Sequence, residues 1–176
     1  MITTRIRRAP ITAVSVLALT TGCAGIADQA TAAPEDLCEL GECETVTVDR
    51  VVDGDTVDVT TDTGDTQRVR VLGVDTPETK KPDTPVQCMG QEATEATTQI
   101  AAAGTKVTLV TDDNADAVDD YDRRLAHLVA GETNLGEELL TRGLATTTNF
   151  PHSLTDTYTT TENTARETAT GMWGQC

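Results

Sequence analysis

The sequence predicts an α+β domain built around a small closed sheet. Three observations predict it. β-Branched and polar residues alternate from Glu44 to Val74, two further apolar strands follow, and helix-permissive stretches lie between and after them.

The first stretch divides at two turn signals, Asp53-Gly54 and Thr63 to Asp65, into antiparallel strands near 45–52, 55–61 and 66–73. Gly90 to Ala103 is rich in Ala and Glu, lacks proline and precedes Gly104, so it reads as a helix with a glycine stop. TKVTLVT (Thr105 to Thr111) and LAHLVA (Leu125 to Ala130) are the fourth and fifth strands. Asn134 to Gly143 is a short helix with an Asn cap and a closing glycine. A last helix is expected from about Thr155 to Met172, weakened by its many threonines. The order βββαββαα is consistent with an OB-type barrel, although periodicity alone does not select that barrel over other α+β sheets.

A chain of 176 residues suits one domain plus appendages. Residues 1–22 read as an export signal: Arg5, Arg7 and Arg8 precede an apolar run from Ile11 to Leu19, and small residues lead to Cys23. The run is shorter than the roughly 20 residues a membrane-spanning helix needs. TTGC (Thr20 to Cys23) resembles a lipobox, which implies a lipid on Cys23 as membrane tether; simple secretion with cleavage near Ala24 or Ala33 is the alternative. Arg7-Arg8 also resembles a twin-arginine signal, with Pro10 where a large apolar residue is usual. Residues 23–44 combine Ala, Asp, Glu and Gly without apolar periodicity and read as a tether, leaving 45–176 for the folded domain, expected to be monomeric.

The formal charge is −16, and removing residues 1–22 takes away three arginines and no acid, which lowers it to −19. Lys80, Lys81 and Lys106 are the only lysines. This surplus of carboxylates resembles the surfaces of proteins from salt-loving organisms; an ordinary acidic exported protein is the plainer reading. Such a charge opposes binding to a polyanion unless arginines and a bound cation dominate the field at one cleft.

VVDGDT (Val51 to Thr56) and RVRVLGVDTPE (Arg68 to Glu78) hold carboxylates and arginines in the proportions that metal-assisted phosphodiester hydrolysis needs. A hard divalent cation takes oxygen ligands, and Asp55 and Asp75 offer them. Arg70 and Arg123 are suited to clamp a phosphoryl group, and Glu78 to orient or deprotonate a water. Each piece alone has a structural explanation. Asp and Gly favour hairpin turns, and DTPE makes a cap or turn. Their joint occurrence, with Arg70 five residues before Asp75 and Glu78 three after it, favours a site. An inward Arg70 would need an anionic partner.

Together with GQEA (Gly90 to Ala93), YDRRLA (Tyr121 to Ala126), NLGEELLTRGLA (Asn134 to Ala145) and GMW (Gly171 to Trp173), these motifs resemble the staphylococcal nuclease family over roughly residues 45–174. The resemblance implies a five-stranded OB-type β-barrel with three helices, and calcium-dependent hydrolysis of DNA and RNA to 3′-phosphates. By that resemblance Asp55 and Asp75 are calcium carboxylates, Thr76 contributes a backbone carbonyl and Asp53 lies behind them. Arg70 and Arg123 hold the scissile phosphate, with Arg123 nearer the leaving group. Glu78 handles the attacking water, and Tyr121 touches substrate phosphate or sugar. Lys80 and Lys81 fall where the family has a basic, mobile loop near the substrate.

Two departures stand out. Asp122 replaces a glycine usual between Tyr and Arg; Asp tolerates a positive φ better than most residues. Where the family carries base-stacking tyrosines this chain has TTTNFPHS (Thr146 to Ser153), in which Phe150 is the one aromatic. Arg124 is expected at the surface, His127 and His152 to be structural, and the aspartates at 112, 113, 116, 119, 120 and 122 to form a solvated loop without the EF-hand pattern.

With Cys23 lipidated, four cysteines remain, which suits two disulfides with three pairings open; Cys38 with Cys43 and Cys88 with Cys176 is one of them. Two other functions fit the composition: a noncatalytic OB-type nucleic-acid-binding module, and an acidic calcium-binding surface protein.

Overall fold

The computed structural model describes residues 37–80 and 85–176. The export signal, Cys23, most of the expected tether and Lys81 lie outside the described residues.

Five strands close a mixed barrel: β1 (Cys43–Asp53), β2 (Thr56–Thr61), β3 (Thr66–Val71), β5 (Lys106–Val110) and β6 (Arg124–Ala130). β1 pairs with β2 and β5, β2 with β3, and β5 with β6, all antiparallel; a parallel β3–β6 pairing shuts the barrel. The closure rests on β1, whose register shifts between Val48 and Arg50 and between Val51 and Asp53 bend it enough to pair on both edges. Alternation fills the interior with Val46 and Val48, Val57 and Val59, and Val69 and Val71. Each of these valines is at most 1% exposed.

Short pieces position the rest: β4 (Val74–Asp75) pairs with β8 (Thr146–Thr147), and β7 (Thr133–Asn134) pairs with β6. The helices are α1 (Gly90–Ile100), α2 (Leu135–Thr141), α3 (Thr155–Glu167) and a single turn, α4 (Met172–Gln175). The fold is therefore the expected five-stranded OB-type barrel with three principal helices.

Several boundaries differ from expectation for physical reasons. The third strand ends at Val71 because Gly73 turns the chain at φ 82° and sets off β4. α1 stops at Ile100, short of Ala103; Ala101 leaves the helix at φ −122° and the chain descends until Gly104 donates its N–H to Val48 O. α2 has the expected ends, with Asn134 Oδ1 accepting the Gly136 N–H at 3.1 Å and Gly143 at φ 62°. α3 stops at Glu167 rather than Met172. Ala169 adopts φ 51°, its N–H bonds to Arg166 O and the Thr170 N–H to Ala165 O, a Schellman closure with Ala where Gly is usual.

Residues 37–44, expected within the tether, pack on the barrel. Leu37 is 2% exposed against Val110 and Val129, and Cys38–Cys43 forms a disulfide. Cys88–Cys176 is the second disulfide and joins the start of α1 to the C-terminal turn. Among the described residues no helix is long and apolar enough to cross a membrane.

Candidate active site

The hairpin turn between β1 and β2 carries Asp53, Gly54 and Asp55, and packs so tightly that only glycine fits its middle position. A Cβ on Gly54 would stand 2.7 Å from Thr76 Oγ1 and 2.9 Å from the Ala93 Cβ. Thr97 of α1 donates its hydroxyl to Gly54 O at 2.5 Å, which holds the turn against the helix. From β3, the main-chain N–H of Val71 donates to Asp55 O at 2.8 Å.

Asp55 is the hub. Its Oδ2 accepts the Thr76 N–H at 2.7 Å and the Thr76 hydroxyl at 2.8 Å, while Oδ1 accepts the Thr56 hydroxyl at 3.0 Å. Arg70 leaves β3 on the face opposite Val69 and Val71. Its guanidinium lies between two acids, with Nη1 2.7 Å from Asp55 Oδ2 and Nη2 2.6 Å from Asp75 Oδ1. Nη1 also donates to Val74 O at 2.9 Å. The arginine side chain is 13% exposed, and these partners supply the anionic compensation that such burial requires.

Glu78 follows on the loop. Its Oε1 accepts the N–H groups of Thr79 and Lys80 at 3.0 and 2.8 Å, which orients the carboxylate and leaves Oε2 for another donor. Gln87 braces the same residue: its Oε1 accepts the Glu78 N–H at 2.8 Å, and its own N–H donates to Glu78 O at 3.0 Å. Arg123, just before β6, is held by Asp119, whose Oδ2 accepts Nε at 2.6 Å and whose Oδ1 accepts the Arg123 main-chain N–H at 2.9 Å.

These elements bring Asp55, Arg70, Asp75, Thr76, Glu78 and Arg123 to one cleft of about 160 Å³, which Asp53 also lines. Four carboxylates there face two guanidiniums. Burial, and then the charge of Asp55, push Asp53 up to about 6. Desolvation also raises Asp75 above the usual carboxylate range, against the pull of Arg70. An excess of crowded carboxylates with oxygen as the only acceptor atom suits a hard divalent cation.

Tyr121 stands outside this cleft, 82% exposed, with the Arg123 guanidinium 5.4 Å from its ring centre. It lines an adjoining hollow of about 260 Å³ together with Arg70, Leu72, Arg123 and Phe150. Lys80 is exposed and does not line the cleft. Asp122 has φ 59°, the left-handed conformation for which glycine is the usual choice.

Two expectations need correction. The aspartate-rich stretch is not uniformly solvated: Asp112 is buried, and Asp119 is partly buried around Arg123. Arg124 is not a free surface residue, because its guanidinium pairs with Glu44 and bonds Gln67 Oε1 at 3.2 Å. Asp119 and Gln87 escaped the sequence reading. An acid four residues before Arg123 was the available signal for Asp119, whereas nothing in the sequence distinguishes Gln87.

Residues 68–175 match the family model described as staphylococcal nuclease homologue. The chain belongs to this family. Among curated staphylococcal nuclease relatives, the thermonuclease of Staphylococcus hyicus is 44% identical over 102 residues, covering 58% of either chain. The thermonuclease of Staphylococcus intermedius is 40% identical over 108 residues, covering 61% of this chain and 62% of that protein. Endonuclease YncB of Bacillus subtilis is 42% identical over 100 residues, covering 57% and 46%. The chain thus spans less than two thirds of the length of these relatives.

Proposed function

We propose that this protein is a calcium-dependent nuclease that hydrolyses phosphodiester bonds of DNA, RNA or both and leaves 3′-phosphate products. The observation that carries the reading is the convergence of Asp55, Asp75, Glu78, Arg70 and Arg123 on one cleft. The thermonuclease and endonuclease relatives support it.

Asp55, Asp75 and the Thr76 carbonyl would hold the calcium ion. The two carboxylates already share a positive charge, the Arg70 guanidinium. When bound, the ion polarises the phosphoryl oxygens and offsets charge that builds on them. Arg70 has five N–H donors, and those not engaged by Asp55, Asp75 and Val74 would serve a phosphoryl oxygen. Glu78 Oε2 takes a proton from water as the water oxygen bonds to phosphorus. The bond from phosphorus to the 5′ oxygen breaks in line, and the leaving oxygen takes its proton from solvent. Arg123, held by Asp119, stabilises the charge on that oxygen. Tyr121 and the exposed Phe150 offer faces on which sugar and base can rest.

The two disulfides support an exported protein, secreted or tethered through a lipid on Cys23, because cytosolic thiols stay reduced. Lys80 and Lys81 would add positive charge that favours a polyanion on an otherwise acidic chain.

Digestion of DNA and RNA by the mature chain, with calcium or chelator at low and high salt, tests the reading. Calcium-dependent cleavage leaving 3′-phosphate ends, abolished by Glu78→Ser or Arg70→Ala, is expected. No cleavage in any salt overturns it, and binding without cleavage points to a noncatalytic module.

A further inference from the structure

Beside Gly73, in the turn that leads into β4, three side chains from distant parts of the chain meet. Asp112 follows β5, His127 lies in β6, and His152 precedes α3. All three are buried, and one ligand atom from each lies within 4.8 Å of the other two. Among the described residues this is the one trio of His, Cys, Asp or Glu side chains placed so closely.

The hydrogen bonds around the trio leave a gap. Asn134 Oδ1 accepts the Gly136 N–H at 3.1 Å, so that atom is the amide oxygen, and it also accepts the Tyr158 hydroxyl at 3.0 Å. The single proton of Tyr158 is therefore committed. His127 Nδ1 lies 3.3 Å from the same phenol oxygen, and its Nε2 lies 3.3 Å from Asp112 Oδ2. A neutral imidazole has one N–H, so it can donate to only one of these oxygens. Either tautomer sets one ring lone pair against an acceptor oxygen. His152, 6% exposed, has both ring nitrogens buried without any partner. Gly73 packs against its ring so closely that a Cβ there would sit 2.6 Å from its Nε2.

A cation between these groups removes both anomalies. Ligand atoms about 2.0–2.1 Å from a tetrahedral metal lie about 3.3 Å apart, the separation of His127 Nε2 from Asp112 Oδ2. The other hydrogen bonds suit the outer support of such ligands: Asp112 accepts the Ser153 N–H at 2.6 Å, the Ser153 hydroxyl at 2.8 Å and the Asn114 N–H at 2.9 Å. His127 is oriented from its other nitrogen by Tyr158.

We infer that Asp112, His127 and His152 form a binding site for a borderline divalent cation of the zinc type, separate from the oxygen-only cleft. Two imidazoles and one carboxylate are the donors such an ion prefers. The ion would clasp β6, the segment after β5 and the segment before α3. Through the contact of His152 with Gly73 it would also buttress the turn that carries Val74 and Asp75.

The test uses the mature chain without a histidine tag, stripped with chelator and titrated with Zn2+, or with Co2+ as a visible probe. One equivalent of zinc, a rise in melting temperature and a tetrahedral Co2+ absorption band are expected for the wild type and equally for Asp75→Asn. His152→Ala and His152→Gln should lose the band and bind zinc at least about tenfold more weakly. Circular dichroism of the metal-free variants checks that they fold, and the wild-type titration stands independently of them. Failure of the wild type to bind Zn2+, an unchanged band in both folded His152 variants, or loss of the band in Asp75→Asn instead would each overturn the inference.

Discussion

Asp119 holds Arg123 at two points, accepting its guanidinium Nε at 2.6 Å and its main-chain N–H at 2.9 Å. The same carboxylate accepts the Tyr121 N–H at 2.9 Å, so one acid shapes the whole YDRR turn. Burial works against its charge, but the N–H donors of Arg123 and Tyr121 outweigh it and keep the carboxyl below the usual range. Asp119→Ala is therefore expected to release the guanidinium, at a cost of about 1.5–3 kcal/mol for a lost charge-assisted bond. Cleavage assays should show kcat falling by about 10- to 100-fold. KM should change less, since Arg123 is assigned to charge that builds only in the transition state.

Gln87 braces Glu78, the group proposed to handle the attacking water. It exchanges two hydrogen bonds with the main chain of Glu78. Gln87→Ala should lower kcat by about threefold to tenfold, the effect of losing one neutral hydrogen bond. Glu78→Ser should be far more severe. The double variant should be no worse than Glu78→Ser, and measuring all three variants tests whether Gln87 works through Glu78.

Glu162 supplies a pH-dependent tie between α3 and β8. Its Oε2 accepts the Thr147 N–H at 3.1 Å and the Thr147 hydroxyl at 2.6 Å, and its Oε1 pairs with Arg166. Burial raises its pKa, but the Thr147 and Arg166 donors outweigh this and hold it below the usual glutamate value. A lowered folded-state pKa gives stability that is present above the unfolded value of 4.5 and lost as pH falls through the folded one. Glu162→Gln should cost about 1–3 kcal/mol at neutral pH. Urea titrations from pH 7 down to pH 3 should show that difference shrinking below about 4.5.

Three described non-glycine residues sit in left-handed conformations, Met89 at φ 65°, Ala169 at φ 51° and Asp122 at φ 59°, and the last two are the turn positions considered for glycine. At Ala169, glycine relieves the Cβ clash at the Schellman closure and gives back part of the gain as unfolded-chain entropy. Ala169→Gly should raise stability by about 0.5–1 kcal/mol. Asp122→Gly should be near neutral because Asp already tolerates that region, and Asp122→Val should destabilise by about 1–2 kcal/mol. Denaturant midpoints for the three variants decide the ranking.

The readable part of the site was local. Asp55, Arg70, Asp75, Thr76 and Glu78 lie within 24 consecutive residues, and turn chemistry with strand alternation was enough to set them near one another. Asp119 was hidden because it is one of six aspartates in a short stretch, and composition cannot say which of them turns inward. Gln87 was hidden because its value lies in reaching back nine residues across a loop. The helix ends at Ile100 and Glu167 were missed for a similar reason: the bond of Gly104 to Val48, the bond of the Met172 N–H to Gly143 O and the close approach of Gly171 to Arg142 O are tertiary demands that override local propensity.

By itself the sequence determined the strand order, the apolar alternation that fills the barrel, the caps of α2 and the acids and arginines of the cleft, because periodicity and turn preference act over a few residues. Only the tertiary structure decided the rest. The parallel pairing of β3 with β6 that shuts the barrel joins residues 55 apart, as Val69 with Arg124. The same closure selects which aspartates are buried, and it brings together Asp112, His127 and His152, the outer two 40 residues apart. Desolvation and lone-pair confrontation arise only where distant segments are pressed into contact, and no local pattern encodes them.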